Sequence, residues 1–509
     1  MRWGIGHWGI DQWGGVSVPR KLTWALEIDW DKDGVFDGVN EAQYMTSVAT
    51  KTGRRQLLRS DGKGFEPVMI GEMEVRLEDE GRRFDPYYSS GPLYGMLTAG
   101  VAFRLRVVDE ATGILYPVMK GTIEEPRPVS GRKREVVIRG YDGRKRLQAE
   151  VKTALQKNIK ISDAIAMILT QAGWTDPTDI DAITDTMPYW WASGKTAFSE
   201  IMDLVDSSLG QFFIAADGTA TYRSRNNSGS SVGSITSTDI WEGFGLQIPQ
   251  PQAVIRNVIT VNSRPRAIAT NVELWRLQDV PSIGAGQTKT DIWANYFYNG
   301  QACPADNVTS PVPGTDFKIT QNADGSGTDL TANCSYVMTK FADAAKFVSI
   351  TNGSATPGYI FLLKVRGDAL TTSSASKIVK KDTASIAQLR GEYPFELDTN
   401  WLQDTNFAIE VATQLRTFLS GSGRDFPMVK VRDIPAIQFG LGLFDRPLLD
   451  FPEDDINALK VLSYIEHKSI TKHCDVIETE LHFEPFSGFN LDNLWYFTAI
   501  FGTTTNFTL

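Results

Sequence analysis

Apolar and polar residues alternate in short runs along much of this chain. Met73-Glu74-Val75-Arg76-Leu77, Phe103-Arg104-Leu105-Arg106-Val107 and Glu135-Val136-Val137-Ile138-Arg139 each predict a strand with one apolar and one charged face. Strands of this kind make a half-buried antiparallel sheet, or a barrel wall whose other face is wet. The pairs Asp33-Gly34, Asp61-Gly62, Asp142-Gly143, Asp217-Gly218 and Asp324-Gly325 are hairpin-turn candidates.

The helical period appears three times. Ser162 to Ala172 predicts a helix capped by Ser162, striped by Ile165, Ile168 and Leu169, and stopped by Gly173. About Thr196 to Leu209, the residues Phe198, Ile201, Met202, Val205 and Leu209 share a face, and Gly210 ends the run. The segment QFFIAADGTATYRSR then reads as a hairpin turned at Asp217-Gly218. A third helix runs about Thr405 to Ser420, with Ala408, Val411, Ala412, Leu415 and Leu419 inward. Residues 226–238 are rich in Ser and Gly and read as a linker. A strand-rich, low-charge stretch between about 290 and 370 reads as a small β-sandwich inserted into a larger domain. No internal repeat is present, which argues against a solenoid or propeller.

The two ends depart from these periods. Trp3, Trp8 and Trp13 recur every five residues, each followed by Gly. That spacing fits neither strand nor helix, so an irregular arm that docks on the body or on a neighbouring chain is expected. Residues 489–509 contain no Lys, Arg or Glu and one Asp. Leu494, Trp495, Tyr496, Phe497 and Phe501 there would form an exposed apolar patch if left free, which points to packing on a partner or another copy. Both ends suggest assembly.

Composition narrows the classes. The chain has 509 residues, enough for about three to five domains. With 42% hydrophobic and 22% charged residues it is not a disordered chain. No apolar run reaches the roughly 18 residues of a membrane helix. The N-terminal residues lack a signal core and a cleavage site, so a protein made and kept in a cytosol until release is expected. Cys303, Cys334 and Cys474 are too few and scattered for a disulfide framework. The net charge of −10 argues against non-specific nucleic-acid binding as the main task. The charge is uneven: residues 51–160 hold 22 Lys/Arg against 15 Asp/Glu, most densely at 131–147. Aromatic residues do not interleave these cations as a base-stacking surface requires, so a solvated sheet face or an acidic partner is the reading.

Candidate chemistry is sparse. Asp29, Asp31, Asp33 and Gly34 stand at positions 1, 3, 5 and 6 of a calcium-loop pattern, with Asp37 at position 9. Position 12 is Asn40, Glu41 comes one residue late, and the preceding LTWALEID reads as strand. These features exclude an EF-hand and leave a non-EF calcium turn or a solvated Asp/Gly turn. His467, His473 and His482, with Cys474, cluster late on two expected strands joined by a turn at Ser469–Cys474, but lack zinc-ligand spacings. No P-loop, G-x-S-x-G or H-E-x-x-H motif occurs, so neither an enzyme nor a cofactor is expected.

The segments LTWALEIDWDKDGVFDG, GRRFDP (81–86) and SGPLYG (90–95), followed by GVAFRLRVV, carry a resemblance. This order resembles the N-terminal domain of siphophage tail-tip proteins, the baseplate hub or minor tail proteins. Gly91 and the extra Arg before Phe84 depart from that pattern. The similarity resumes at 197–225, 254–266, 322–366 and 462–470. It implies a mainly β (α+β) chain with two tail-tube-like β-barrel domains that assembles as a trimeric ring. The expected layout is a Trp/Gly-rich arm at 1–20, a first barrel at 21–150 and a small α/β module at 151–225. A second barrel combines 226–290 with 421–488, around an inserted sandwich at 291–400 and a helix at 401–420. An interaction segment at 489–509 ends the chain.

The implied task is structural. A homotrimer ends a long non-contractile tail tube at the virion's tail tip and adapts sixfold to threefold symmetry. It meets a distal tail or tail-tube ring, the tape-measure protein and a tail fibre or receptor-binding protein, and opens for DNA in transit. Synthesis and assembly would take place in the host cytoplasm. One alternative is a carbohydrate-binding adhesin that uses Trp293, Tyr296 and Tyr298; another is a cell-wall hydrolase, for which no catalytic constellation is seen.

Overall fold

In the computed structural model the described residues are 21–54, 65, 70–129, 134–227, 229, 231–240, 255–420, 428–451, 459–473 and 476–485. The chain is mainly β, and its largest sheet has eleven strands. Their order is Leu22–Asp29, Ala102–Asp109, Ile114–Val129, Glu135–Asp142, Glu72–Glu78, Met45–Gly53, Leu459–His473, Arg446–Phe451 and Ser231–Thr236. Val476–Pro485 also pairs with Leu459–His473, and Met428–Arg432 pairs with Val476–Pro485. The sheet curls into a half-barrel.

The expected alternation is observed. Met73, Val75, Leu77, Phe103, Leu105, Val107, Val136 and Ile138 are buried in one core. The segments expected as two barrels share this one sheet. Met45–Gly53 pairs antiparallel with Leu459–His473 from Ser47–His473 to Gly53–His467. A second core lies under the late strands, around Val429, Val431, Leu449, Ile465, Leu481 and Phe483. Phe439, just after the short helix Pro435–Gln438, belongs instead to the first core, edge-on to Trp24 at 5.8 Å. Residues 231–236, expected within a linker, form a strand parallel to Arg446–Phe451 with Ile235 fully buried. Backbone pairing overrides a Ser/Gly composition there, because the ladder uses main-chain groups that every residue except Pro carries.

Three further large cores lie beside the main sheet. The first, within residues 147–222, packs helices Ile161–Gln171 and Ala197–Ser208 with a small sheet. Thr196 caps the second of these helices, accepting from Ser199 N at 3.3 Å, and Leu209 closes it in the left-handed conformation. Ser162 is not the cap of the first: Lys160 stands at the N-cap without a side-chain bond, and Ser162 is buried in the first turn. Gly173 ends that helix with φ +72°.

The inserted sandwich runs from Arg266–Arg276 to Gly358–Thr372, where 291–400 was expected. Its core joins both sheets through Phe317, Phe347, Ile350, Ile360 and Leu363. Ser376–Lys381 and Pro394–Asp398 instead flank Val258–Ser263 in a separate three-stranded sheet covered by helix Thr405–Leu419. Asp404 caps that helix, and Ala408, Val411, Ala412, Leu415 and Leu419 point inward as their spacing predicts. Trp401 crosses to the neighbouring module and stands edge-on to Trp191 at 5.0 Å.

One charged side chain sits on the apolar side of the long late strand. Lys468 is buried, and its Nζ donates to Leu441 O at 2.6 Å. Burial pushes its ammonium down to about 8, with Asp445 pulling the other way. The unfolded chain therefore holds this proton more tightly than the folded one between about pH 8 and an ordinary lysine's 10.5. Stability contributed by this group should rise as pH climbs through that window. Denaturant titrations at pH 7.5 and 10 should show the rise in the native protein and a smaller one in Lys468→Met. Equal slopes in both proteins would refute it.

Candidate functional site

The polar face of the large sheet is the principal candidate surface. Cross-strand register lines up Asp29, Ala102, Thr122, Tyr141, Glu72, Lys51, Ser469, Glu480 and Lys430 in a row across nine strands. The row is polar apart from Ala102 and the Tyr141 ring. Side chains alternate across a strand, so burying Val75 and Leu77 on one side obliges Glu74 and Arg76 to take the other. The same logic places Ser469 and Thr471 opposite the buried Ile470.

Several charges on this face are paired within it. Arg104 grips Glu27 in a fork, Nε to Oε2 at 2.7 Å and Nη2 to Oε1 at 2.9 Å, and Arg106 binds the same carboxylate. The Arg104 hydrogen bonds hold the Glu27 carboxyl below the usual range, against the effect of burial. Arg139 lies 3.1 Å from Glu74, which Arg76 also approaches at 3.6 Å. Glu480 takes His482 Nε2 at 2.6 Å and Lys430 at 3.4 Å. Burial pushes the Glu480 carboxyl up, but His482 and Lys430 together draw it below its usual range.

The basic stretch follows the same rule. Arg134 pairs with Asp85, Lys145 with Glu124, Arg146 with Asp176, and Arg144 with Asp142. The described cations of 131–147 thus belong to a self-neutralised sheet face and its edges.

Of the acidic turn residues, Asp29, Asp31 and Asp33 come together, their ligand oxygens all within 4.8 Å of one another. Asp37 is not among the gathered three. The turn is anchored by Lys32, whose Nζ donates to Ala99 O at 2.9 Å. Phe36 lies under the Arg104 guanidinium, 4.4 Å from its ring centre. A cleft of about 780 Å³ opens beside it, lined in part by Asp29, Phe36, Lys120, Lys145 and Asp176.

The aromatics proposed for a sugar do not form one platform. Tyr296 is buried in the sandwich core, and Tyr298 is half-buried against that core. Trp293 is exposed but stacked on Phe341 at 5.7 Å, with Lys152 and Lys346 over its ring. A second cleft of about 450 Å³ lies where Trp191 meets Tyr296, Phe297 and Cys303.

His467 and His473 lie on the single strand Leu459–His473, and His467 pairs in register with His482. Their side chains, and Cys474, lie outside the described residues. So do the arm with Trp3, Trp8 and Trp13 and the segment with Leu494, Trp495, Tyr496, Phe497 and Phe501. No helix among the described residues is long and apolar enough to cross a membrane.

No family model matches the chain, and no curated protein matches it. Among solved structures it resembles the tail protein from Neisseria meningitidis MC58, with a TM-score of 0.50 and 10% identity over 92% of this chain and 98% of that one. It is also similar to the 43 kDa tail protein of prophage MuSo2 from Shewanella oneidensis (TM-score 0.49, 9% identity, 92% and 99% covered). A third is prophage tail protein gp18 from Listeria monocytogenes EGD-e (TM-score 0.40, 7% identity, 90% and 94% covered). The chain therefore has the fold of the Neisseria tail protein over nearly its whole length. All three are named as tail proteins.

Proposed function

We propose that this chain is a structural hub subunit at the tip of a long non-contractile phage tail. Three copies form a ring that ends the tail tube, anchors the tape-measure protein and receptor-binding parts, and opens for DNA. The observation that carries this reading is the single polar face crossing both halves of the eleven-stranded sheet. A ring built from three such sheets would give each subunit one continuous polar lining that spans both of its halves.

The chemistry of the face suits a conduit. A duplex is held by cations that neutralise its phosphates. Here Arg104, Arg106, Arg76, Arg139 and Lys430 already face carboxylates, so these five offer little net charge to grip a passing strand.

Native mass spectrometry of the full chain, alone and mixed with the tail-tube end, tests the reading. A species near three times 56.4 kDa with a central hole in particle averages is expected. A chain that stays monomeric even with the tube end present would overturn it.

A further inference from the structure

We propose that the turn after the edge strand Leu22–Asp29 binds a divalent cation of the calcium type, held by the carboxylates of Asp29, Asp31 and Asp33. This inference does not rest on the hub reading. The three side chains offer oxygens within 4.8 Å of one another. Asp29 supplies an independent observation. It is only 4% exposed, its Oδ2 accepts from Gly34 N at 3.1 Å, and its buried Oδ1 has no hydrogen-bond partner. A buried carboxylate oxygen without a donor is costly, and a hard cation satisfies it by direct ligation. Lys32, the lysine of the turn, does not serve: its ammonium is committed to Ala99 O. Asp31 and Asp33 are exposed, so the cation would be open to water on its outer side. Asp33 spends one oxygen on Val35 N at 2.7 Å and keeps the other.

The structure also removes two ligands that spacing offers. Asn40 Oδ1 accepts from Leu26 N at 3.0 Å and Ala42 N at 2.9 Å. Glu41 is buried, taking Trp30 Nε1 at 3.0 Å and the Arg83 guanidinium at 2.6 and 3.1 Å. Both are committed to the fold, so no bidentate acid closes the loop as in an EF-hand. Three carboxylates completed by water and backbone oxygens place the affinity in the weak range, about 10⁻⁴–10⁻³ M. Such a site fills in a calcium-rich medium and empties in a calcium-poor one. Filling it would brace the edge strand at the end of the polar face.

Isothermal titration of CaCl₂ into the full chain tests this, with hydrogen exchange across residues 29–36 as a second readout. Saturable binding in the range of about 0.1–1 mM and slower exchange in the turn are expected. Asp31→Asn/Asp33→Asn, both at exposed positions, should weaken binding at least ~10-fold without changing the fold by circular dichroism. No saturable binding up to about 10 mM, unchanged affinity in the double variant, or equal protection by NaCl at matched ionic strength would each overturn the proposal.

Discussion

Phe439→Ala is expected to lower the unfolding free energy by about 3–5 kcal/mol, a cost typical of emptying a buried aromatic site. The ring comes from the late half of the chain but sits in the core under the early strands. It stands edge-on to Trp24 at 5.8 Å and tilted against Tyr116 at 6.2 Å. Truncation leaves a cavity and deletes both ring contacts. The neighbouring Gln438 fixes where the ring enters. Its fully buried amide donates to Ile477 O at 3.0 Å and accepts from Ile434 N at 3.1 Å, so the short helix cannot slide to fill the gap. Urea unfolding followed by tryptophan fluorescence measures the loss. A change under about 1 kcal/mol would mean that the two halves of the sheet are not locked by this residue.

The second large effect is expected at Arg144→Met, again about 3–5 kcal/mol. Arg144 is 1% exposed, and its side chain binds Asp142 through Nε at 2.8 Å and Nη2 at 2.6 Å. Asp142 also accepts from Gly71 N at 2.9 Å and Arg144 N at 3.0 Å. It thus joins the end of a sheet strand to the following 3-10 turn and to residue 71. Removing the guanidinium strands a carboxylate in the interior. Asp142→Asn added to Arg144→Met should recover part of the loss, since the charge is gone while an amide oxygen still accepts from the backbone. Lys145→Met is the contrast. Its pair with Glu124 is about two-fifths exposed on both sides, so water screens it and its loss should scarcely change stability. Equal effects at Arg144 and Lys145 would refute the assignment of the first pair as the structural one.

How much of this was legible in sequence depends on the range of the interaction. The charged and apolar faces of 73–77 and 103–107 are observed because strand alternation is local. The helix over Thr405–Leu419 kept its predicted stripe for the same reason, and the Asp217-Gly218 turn joins Gln211–Ile214 to Ala220–Arg223. Capping was less secure. Ser162, expected as the N-cap, stands two positions past Lys160, inside the first turn of its own helix. The acidic turn was visible as a spacing. Only the structure shows that Asp29 is buried with an unpartnered oxygen and that Asn40 and Glu41 are committed elsewhere.

The sequence by itself determined the local elements: the alternating strands, the apolar stripes of the three helices and the turn at Asp217-Gly218. Tertiary structure alone decided which strands meet. Met45–Gly53 finds Leu459–His473 more than 400 residues away, residues 231–236 become a strand despite their composition, and the sandwich closes at 266–372. The physical reason is that ladder hydrogen bonds join main-chain groups common to almost every residue, so the partner of a strand leaves little mark on its side chains. Register and neighbour are chosen by the cores that the whole chain can bury together.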